Sequence, residues 1–83
     1  MRKMIRQRNL LMTALIKQGW ELSLQGENKS ELWAEYGRKF AIRLDKKNFI
    51  LYKRVEQDMI EVDTLTYNRR QSQQLKRLLD KYY

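Results

Sequence analysis

Gln18-Gly19-Trp20-Glu21-Leu22-Ser23-Leu24-Gln25 is the stretch whose reading decides the fold. Before it, apolar residues recur every three to four positions; from it onward they recur every two. Trp20, Leu22 and Leu24 alternate with Glu21, Ser23 and Gln25, the pattern of a strand with one buried face. Gly19 stands at the change, where a helix ends in a left-handed residue that glycine adopts without a steric penalty. The chain therefore begins as a helix and turns into sheet at this point.

Upstream, steps of 100° per residue place Met1, Met4, Ile5, Arg8, Leu11, Met12, Leu15 and Ile16 within one arc of about 140°. Arg2, Arg6, Thr13 and Lys17 fall on one flank of that stripe. Downstream, Gly26-Glu27-Asn28-Lys29 has turn chemistry, and Leu32, Ala34, Tyr36, Phe40, Ile42 and Leu44 all share one parity. Two arrangements fit that parity. A hairpin bending at Gly37-Arg38-Lys39 sets Tyr36 opposite Phe40, Ala34 opposite Ile42 and Leu32 opposite Leu44; a single long strand bulged at Gly37 is the other. Asp45-Lys46-Lys47-Asn48 reads as a turn, Phe49 to Val55 as a strand rich in β-formers, and Met59 to Val62 as a short strand after a turn at Glu56-Gln57-Asp58. The last element is a helix starting at Leu65 or Tyr67 and running to Tyr82, with Leu75, Leu78, Leu79 and Tyr82 on one face and Asp63, Thr64 or Thr66 as N-cap.

The expectation is one α+β domain over residues 1–83, a small antiparallel sheet of three to five strands flanked by an N-terminal and a C-terminal helix. Its expected core is Trp20, Leu22, Leu24, Phe40, Ile42, Leu44 and the apolar face from Leu75 to Tyr82. Trp33 and Tyr52 have the opposite parity and belong to a second sheet face. There they either stack on bases or pack as structural cover.

Composition narrows the chemistry. The 83 residues include neither cysteine nor histidine, which removes disulfides, thiolate metal sites and the commonest general base together. No metal or cofactor is expected. No apolar run approaches the roughly 18 residues that suggest a membrane span. The basic start is followed by Leu10-Leu11-Met12, but Thr13 and Lys17 break the stretch and no small-residue cleavage site follows, so a cytoplasmic protein without a signal peptide is expected.

Charge is the informative quantity, at +8 overall. Residues 1–19 carry five bases and no acid, and residues 66–83 carry five bases and one acid. Residues 20–65 hold eight bases against nine acids, so the excess lies in the two terminal segments. Within that middle segment, 38–54 is itself basic between acidic neighbours, an arrangement that suits either a cationic hairpin tip or cross-strand pairs with Glu21, Glu31, Glu35, Glu56 and Glu61. A basic helix face more often solvates a small domain than contacts phosphate, and two such helices, one at each end, bring contact level with solvation.

The reading is a non-enzymatic domain that binds nucleic-acid backbone, RNA ahead of DNA. Arg2, Arg6, Lys17, Arg69, Arg70, Lys76 and Arg77 reach phosphates, and the Lys46-Lys47 turn serves as an auxiliary clamp. The alternative is an interaction module from a phage or mobile element that docks on an acidic host protein. Cleavage of RNA by Tyr82-Tyr83 with nearby bases is a third reading, and Leu10, on the polar side of the first helix, is a candidate dimer contact.

Leu15-Ile16-Lys17-Gln18-Gly19-Trp20-Glu21-Leu22 resembles the helix-to-strand junction of HicA-type toxins, small mRNA-cleaving proteins with a double-stranded-RNA-binding-like αβββα fold. The resemblance covers roughly residues 8 to 25 and the order of elements. It implies that fold. The family's catalytic histidine follows the first strand; here Gln25-Gly26-Glu27-Asn28-Lys29-Ser30 has none, so the nuclease activity does not carry over. Arg69-Arg70 stands in only loosely for the lysine cluster that opens the second helix of double-stranded-RNA-binding domains.

Overall fold

The computed structural model describes residues 2–83, with side chains from Ile5 onward. Met1 and the side chains of Arg2, Lys3 and Met4 lie outside the described residues, including two positions of the apolar stripe and one candidate phosphate contact. The order of elements is α1 (Arg2–Lys17), β1 (Glu21–Gln25), a short turn of 3-10 helix (Glu27–Lys29), β2 (Glu31–Tyr36), β3 (Phe40–Leu44), β4 (Asn48–Val55), β5 (Asp58–Thr66) and α2 (Gln71–Tyr82). The strands form one antiparallel sheet in the order β1-β2-β3-β4-β5. This is an α+β arrangement in which each strand pairs with the next in the chain.

The bend at Gly37 is a hairpin, with Tyr36 opposite Phe40 and Ala34 opposite Ile42. Parity then carries the apolar set across the sheet: Leu22 faces Ala34, Ile42 faces Leu51 and Leu44 faces Phe49. Between β4 and β5 the register slips. Leu51 pairs with Asp63 but Tyr52 pairs with Glu61, leaving Val62 as an extra residue on β5. This bulge lets Val62 pack against the core instead of following strict alternation.

One sheet face is covered by both helices. Leu11 and Leu15 of α1 and Leu75 of α2 join Trp20, Ala34, Phe40, Ile42, Leu44, Phe49, Leu51 and Tyr67 in one buried cluster. The buried arc of α1 is rotated from the expected stripe: Ile5 and Ile16 are 59% and 56% exposed, while Gln7 and Ala14 are half-buried. The cause is the second helix. The Gln71 side chain donates to the Gln7 carbonyl at 2.7 Å, so α1 turns its flank toward α2 as well as its base toward the sheet. Leu24 is also exposed, at 58%, because it lies near the end of edge strand β1.

The second correction concerns α2. It begins at Gln71 instead of Leu65 or Tyr67, since β5 continues to Thr66 through the pairs Phe49–Leu65 and Asn48–Thr66. Asp63, Thr64 and Thr66 are therefore strand residues and cap nothing in α2. Asn68 shapes the turn instead: its Oδ1 accepts from the Arg70 N–H at 2.7 Å, and its Nδ2 donates to the Thr66 carbonyl at 2.7 Å. The Gln71 side chain accepts from the Asn68 N–H at 3.2 Å. At the other helix, Gly19 has φ +95° and ends α1 as expected.

A domain this small has a few kcal/mol of net stability. Phe49→Ala, at a fully buried position, is expected to cost about 3–5 kcal/mol and to leave the chain largely unfolded in urea titrations followed by circular dichroism. Leu24→Ala is expected to cost less than about 1 kcal/mol, despite the identical periodicity of the two residues in their strands.

Candidate nucleic-acid interface

The sheet face away from the helices uses its charges internally. Trp33 and Tyr52 lie there as neighbours, their ring centroids 5.3 Å apart, and Trp33 donates from its indole to Glu31 at 3.0 Å. Arg43 approaches Asp45 at 3.0 Å and Glu31 at 3.9 Å, and Arg54 approaches Glu35 at 3.7 Å. Gln25 adds a bond to Glu35 at 2.9 Å. Alternation places all these residues on one face, where they form a carpet that leaves Trp33 only 8% exposed. Trp33 is thereby cover for the sheet, with little ring surface left for a base to stack on. Glu31 and Glu35 are the expected cross-strand partners; Glu21, Glu56 and Glu61 take no part in these pairs.

The helix layer is organised differently. Arg6, Lys17, Arg69, Arg70, Lys76 and Arg77 are all exposed. Among the described residues, none of the six lies within ion-pair distance of a carboxylate. Neither helix has an acidic residue in its first turn, where the positive end of the helix macrodipole favours anions. Arg69 and Arg70 instead stand directly before α2. Cations there add to the dipole's positive end, a combination that costs stability alone and attracts phosphate.

Three hydrogen bonds gather part of this charge at one end of the molecule. The Arg8 guanidinium donates to the Leu44 carbonyl at 3.0 Å, the Tyr67 hydroxyl to the Asp45 carbonyl at 2.6 Å, and Gln71 to Gln7 as above. They join the first half of α1, the β3–β4 turn and the start of α2. Arg6, Lys46, Lys47, Arg69 and Arg70 therefore belong to one end. Lys17 lies eleven residues beyond Arg6 along α1, about 16 Å away at the helical rise, and Arg77 is more than a turn beyond Arg70. Lys76 occupies the middle of α2, beside a groove between the helices floored by Leu11, Leu15, Leu75 and Leu79. The candidate residues thus form a basic layer with a dense end.

That end contains a surface cavity of about 520 Å³ between α1, the loop before β2 and the β3–β4 turn. Arg8, Arg43, Lys46 and Lys47 line it together with Glu31 and Asp45. Arg8 and Arg43 are absent from the expected set. Arg8 was legible as a base inside the apolar stripe of α1, a position that requires a polar partner within the fold. Gly26 belongs to the same corner: its φ of +81° is a conformation that L side chains rarely adopt, and a Cβ there would displace the Glu31 side chain.

Tyr67 shares this corner. Burial pushes its phenol up to about 12, although the charge and hydrogen bonding of the adjacent Arg8 guanidinium pull the other way. At the opposite end, Tyr83 packs on Phe40 with ring centroids 6.3 Å apart, and Lys39 Nζ sits 4.0 Å from the Tyr83 centroid. Tyr82 and Tyr83 are thus a helix length away from Arg69 and Arg70.

No helix among the described residues is long and apolar enough to cross a membrane. Comparisons with protein-family models, curated proteins and solved structures found no match.

A phenol pKa raised on folding stabilises the protein fully below the unfolded value and loses that contribution as pH rises toward the folded one. Stability is therefore expected to decline between pH 10 and about 12 by up to about 2–3 kcal/mol from Tyr67. Tyr67→Phe should lose about 1 kcal/mol near neutral pH and lack this component of the alkaline decline. Lysine deprotonation affects both proteins, so the difference between their urea midpoints across the pH series isolates the phenol.

Proposed function

We propose that this chain is a non-enzymatic domain that binds nucleic-acid backbone through its helix layer, with RNA ahead of DNA. The observation that carries the reading is the sorting of charge between the two faces. Arg43 and Arg54 on the sheet are committed to Glu31, Asp45 and Glu35, whereas Arg6, Lys17, Arg69, Arg70, Lys76 and Arg77 have no such partners among the described residues. Arg6, Lys17, Arg69, Arg70, Lys76 and Arg77 supply phosphate contacts, with Arg2 on the same helix. The Lys46-Lys47 turn acts as a clamp at the dense end. Long cationic side chains that release condensed counterions bind any sequence and lose affinity with salt. The preference for RNA rests on the similarity of the helix–Gly–Trp–strand junction and element order to double-stranded-RNA-binding-like domains. A cytoplasmic setting accords with this role.

A second reading draws on a different observation. Ile5 and Leu10 are 59% and 52% exposed on α1, and with Arg6, Asn9 and Thr13 they line a shallow cavity of about 390 Å³. A mixed apolar and cationic patch suits an acidic protein surface, as expected of a phage or mobile-element module that docks on a host protein. Retention of one protein after nuclease treatment, lost with Leu10→Glu, would favour this reading over the first.

Fluorescence anisotropy with an RNA hairpin and a DNA duplex at about 50 and 200 mM salt tests the leading proposal. With six phosphate contacts, affinity should fall about a thousandfold between those salts. Arg69→Glu with Arg70→Glu should weaken binding to all sequences alike and reduce the salt slope by about two. Absence of binding at the lower salt would overturn the proposal.

A further inference from the structure

The cavity at the dense end has a chemistry distinct from the open helix layer, because its charges do not cancel. Of the six charged residues that line it, Glu31 and Asp45 are both drawn to Arg43. Glu31 is further occupied by the Trp33 indole. Among the described residues this leaves Arg8, Lys46 and Lys47 without a carboxylate within ion-pair distance. The Arg8 Nη2 holds the Leu44 carbonyl, but its Nε–H is buried and has no acceptor among the described residues. The Arg43 Nε–H lies close to Asp45 yet out of line for a hydrogen bond. Arg43 thus stays with its carboxylates, and the Arg8 Nε–H is the donor left without an acceptor in this corner, beside two lysines that are exposed. Ser30 and Asn48, also in the lining, add neutral hydrogen-bonding groups.

We infer that this cavity seats a terminal phosphate, a phosphomonoester at a nucleic-acid strand end, while the helix layer holds the adjoining backbone. The inference rests on the backbone-binding reading for its source of phosphate. The net charge of the lining is +2, which matches a monoester of about −1.5 to −2 near neutral pH better than the single charge of an internal diester. The cavity volume of about 520 Å³ accommodates the group with part of its nucleotide. The site is also fixed in place, since the Arg8–Leu44 and Tyr67–Asp45 bonds hold the β3–β4 turn against α1 and the entry to α2. Arginine forks bind phosphate oxygens in pairs, and lysines add point charge without demanding geometry.

The test compares one short oligonucleotide carrying a 5′-phosphate, a 3′-phosphate or hydroxyls at both ends, in anisotropy titrations at fixed salt. One phosphorylated form should bind about tenfold tighter than the hydroxyl form. Lys46→Ala with Lys47→Ala, in an exposed turn, should abolish that preference, bringing the phosphorylated form down to the affinity of the hydroxyl form, while both lose the clamp's share of salt-dependent binding. Arg8→Lys should reduce the preference while keeping a cation in the corner, with circular dichroism confirming the fold. Inorganic phosphate should compete for the preference alone. Equal binding of all three forms would overturn the inference and leave the backbone reading standing. Saturable inorganic phosphate binding that is lost in the lysine double variant, with no oligonucleotide bound, would support the cavity as a phosphate site and overturn its assignment to strand ends, together with the backbone reading.

Discussion

The contact of three leucines, Leu11 and Leu15 from α1 and Leu75 from α2, with the row Ile42, Leu44, Phe49 and Leu51 holds this domain together. A five-stranded meander presents one apolar face, and the described residues supply two α-helices with which to cover it. Each helix must commit its apolar arc to the sheet, so the remaining arcs of both become a single outer surface. The opposite sheet face receives no helix and closes itself with side chains. Its tryptophan, tyrosine and paired ions perform the covering that a third helix would perform in a larger protein. The division into a self-neutralised face and a cationic face follows from how the core is covered.

That division carries a local cost. Bases stand where both helices begin, against the preference of a helix N-terminus for acids, and an arginine is inserted into the apolar side of α1. A fold selected for stability alone would place Asp or Glu at those starts and an aliphatic residue at position 8. Departures from local preference that converge on one corner of a molecule are the pattern expected where binding competes with stability. The corner is held by backbone carbonyls that accept from Arg8 and Tyr67, so positioning does not depend on the exposed lysines.

Much of this arrangement was legible in the sequence. The change of period at Gly19, the shared parity from Leu32 to Leu44 and the Leu75–Tyr82 face specify helix, sheet and helix in their observed order. The hairpin at Gly37 was one of two arrangements that parity allowed, and strand pairing decided between them. The start of α2 was misread because Asp63, Thr64 and Thr66 have the composition of a cap, whereas pairing with Asn48 and Phe49 extends β5. Tertiary contact outweighed local preference. Ile5 and Ile16 were misplaced because periodicity cannot register that a neighbouring helix rotates the buried arc. The exposed cations were legible as candidates, but their grouping was not, since Arg6, Lys46 and Arg69 are distant in sequence and the elements that carry them are joined by the hydrogen bonds of Arg8, Tyr67 and Gln71. Arg8 was legible as a base within an apolar stripe, but its partner, the Leu44 carbonyl 36 residues on, was not.

The strand order has a consequence for how the molecule assembles. Every strand finds its partner next in the chain, so the sheet closes through a succession of short loops, each with a small entropy cost. Such local topology favours rapid folding. The helices differ, because the Gln7–Gln71 bond links residues 64 positions apart and α1 meets α2 only after the whole sheet lies between them in sequence. The slowest closure is therefore the one that completes the helix layer. Partly assembled chains would expose the Phe49 and Leu51 row, with its cover still unformed.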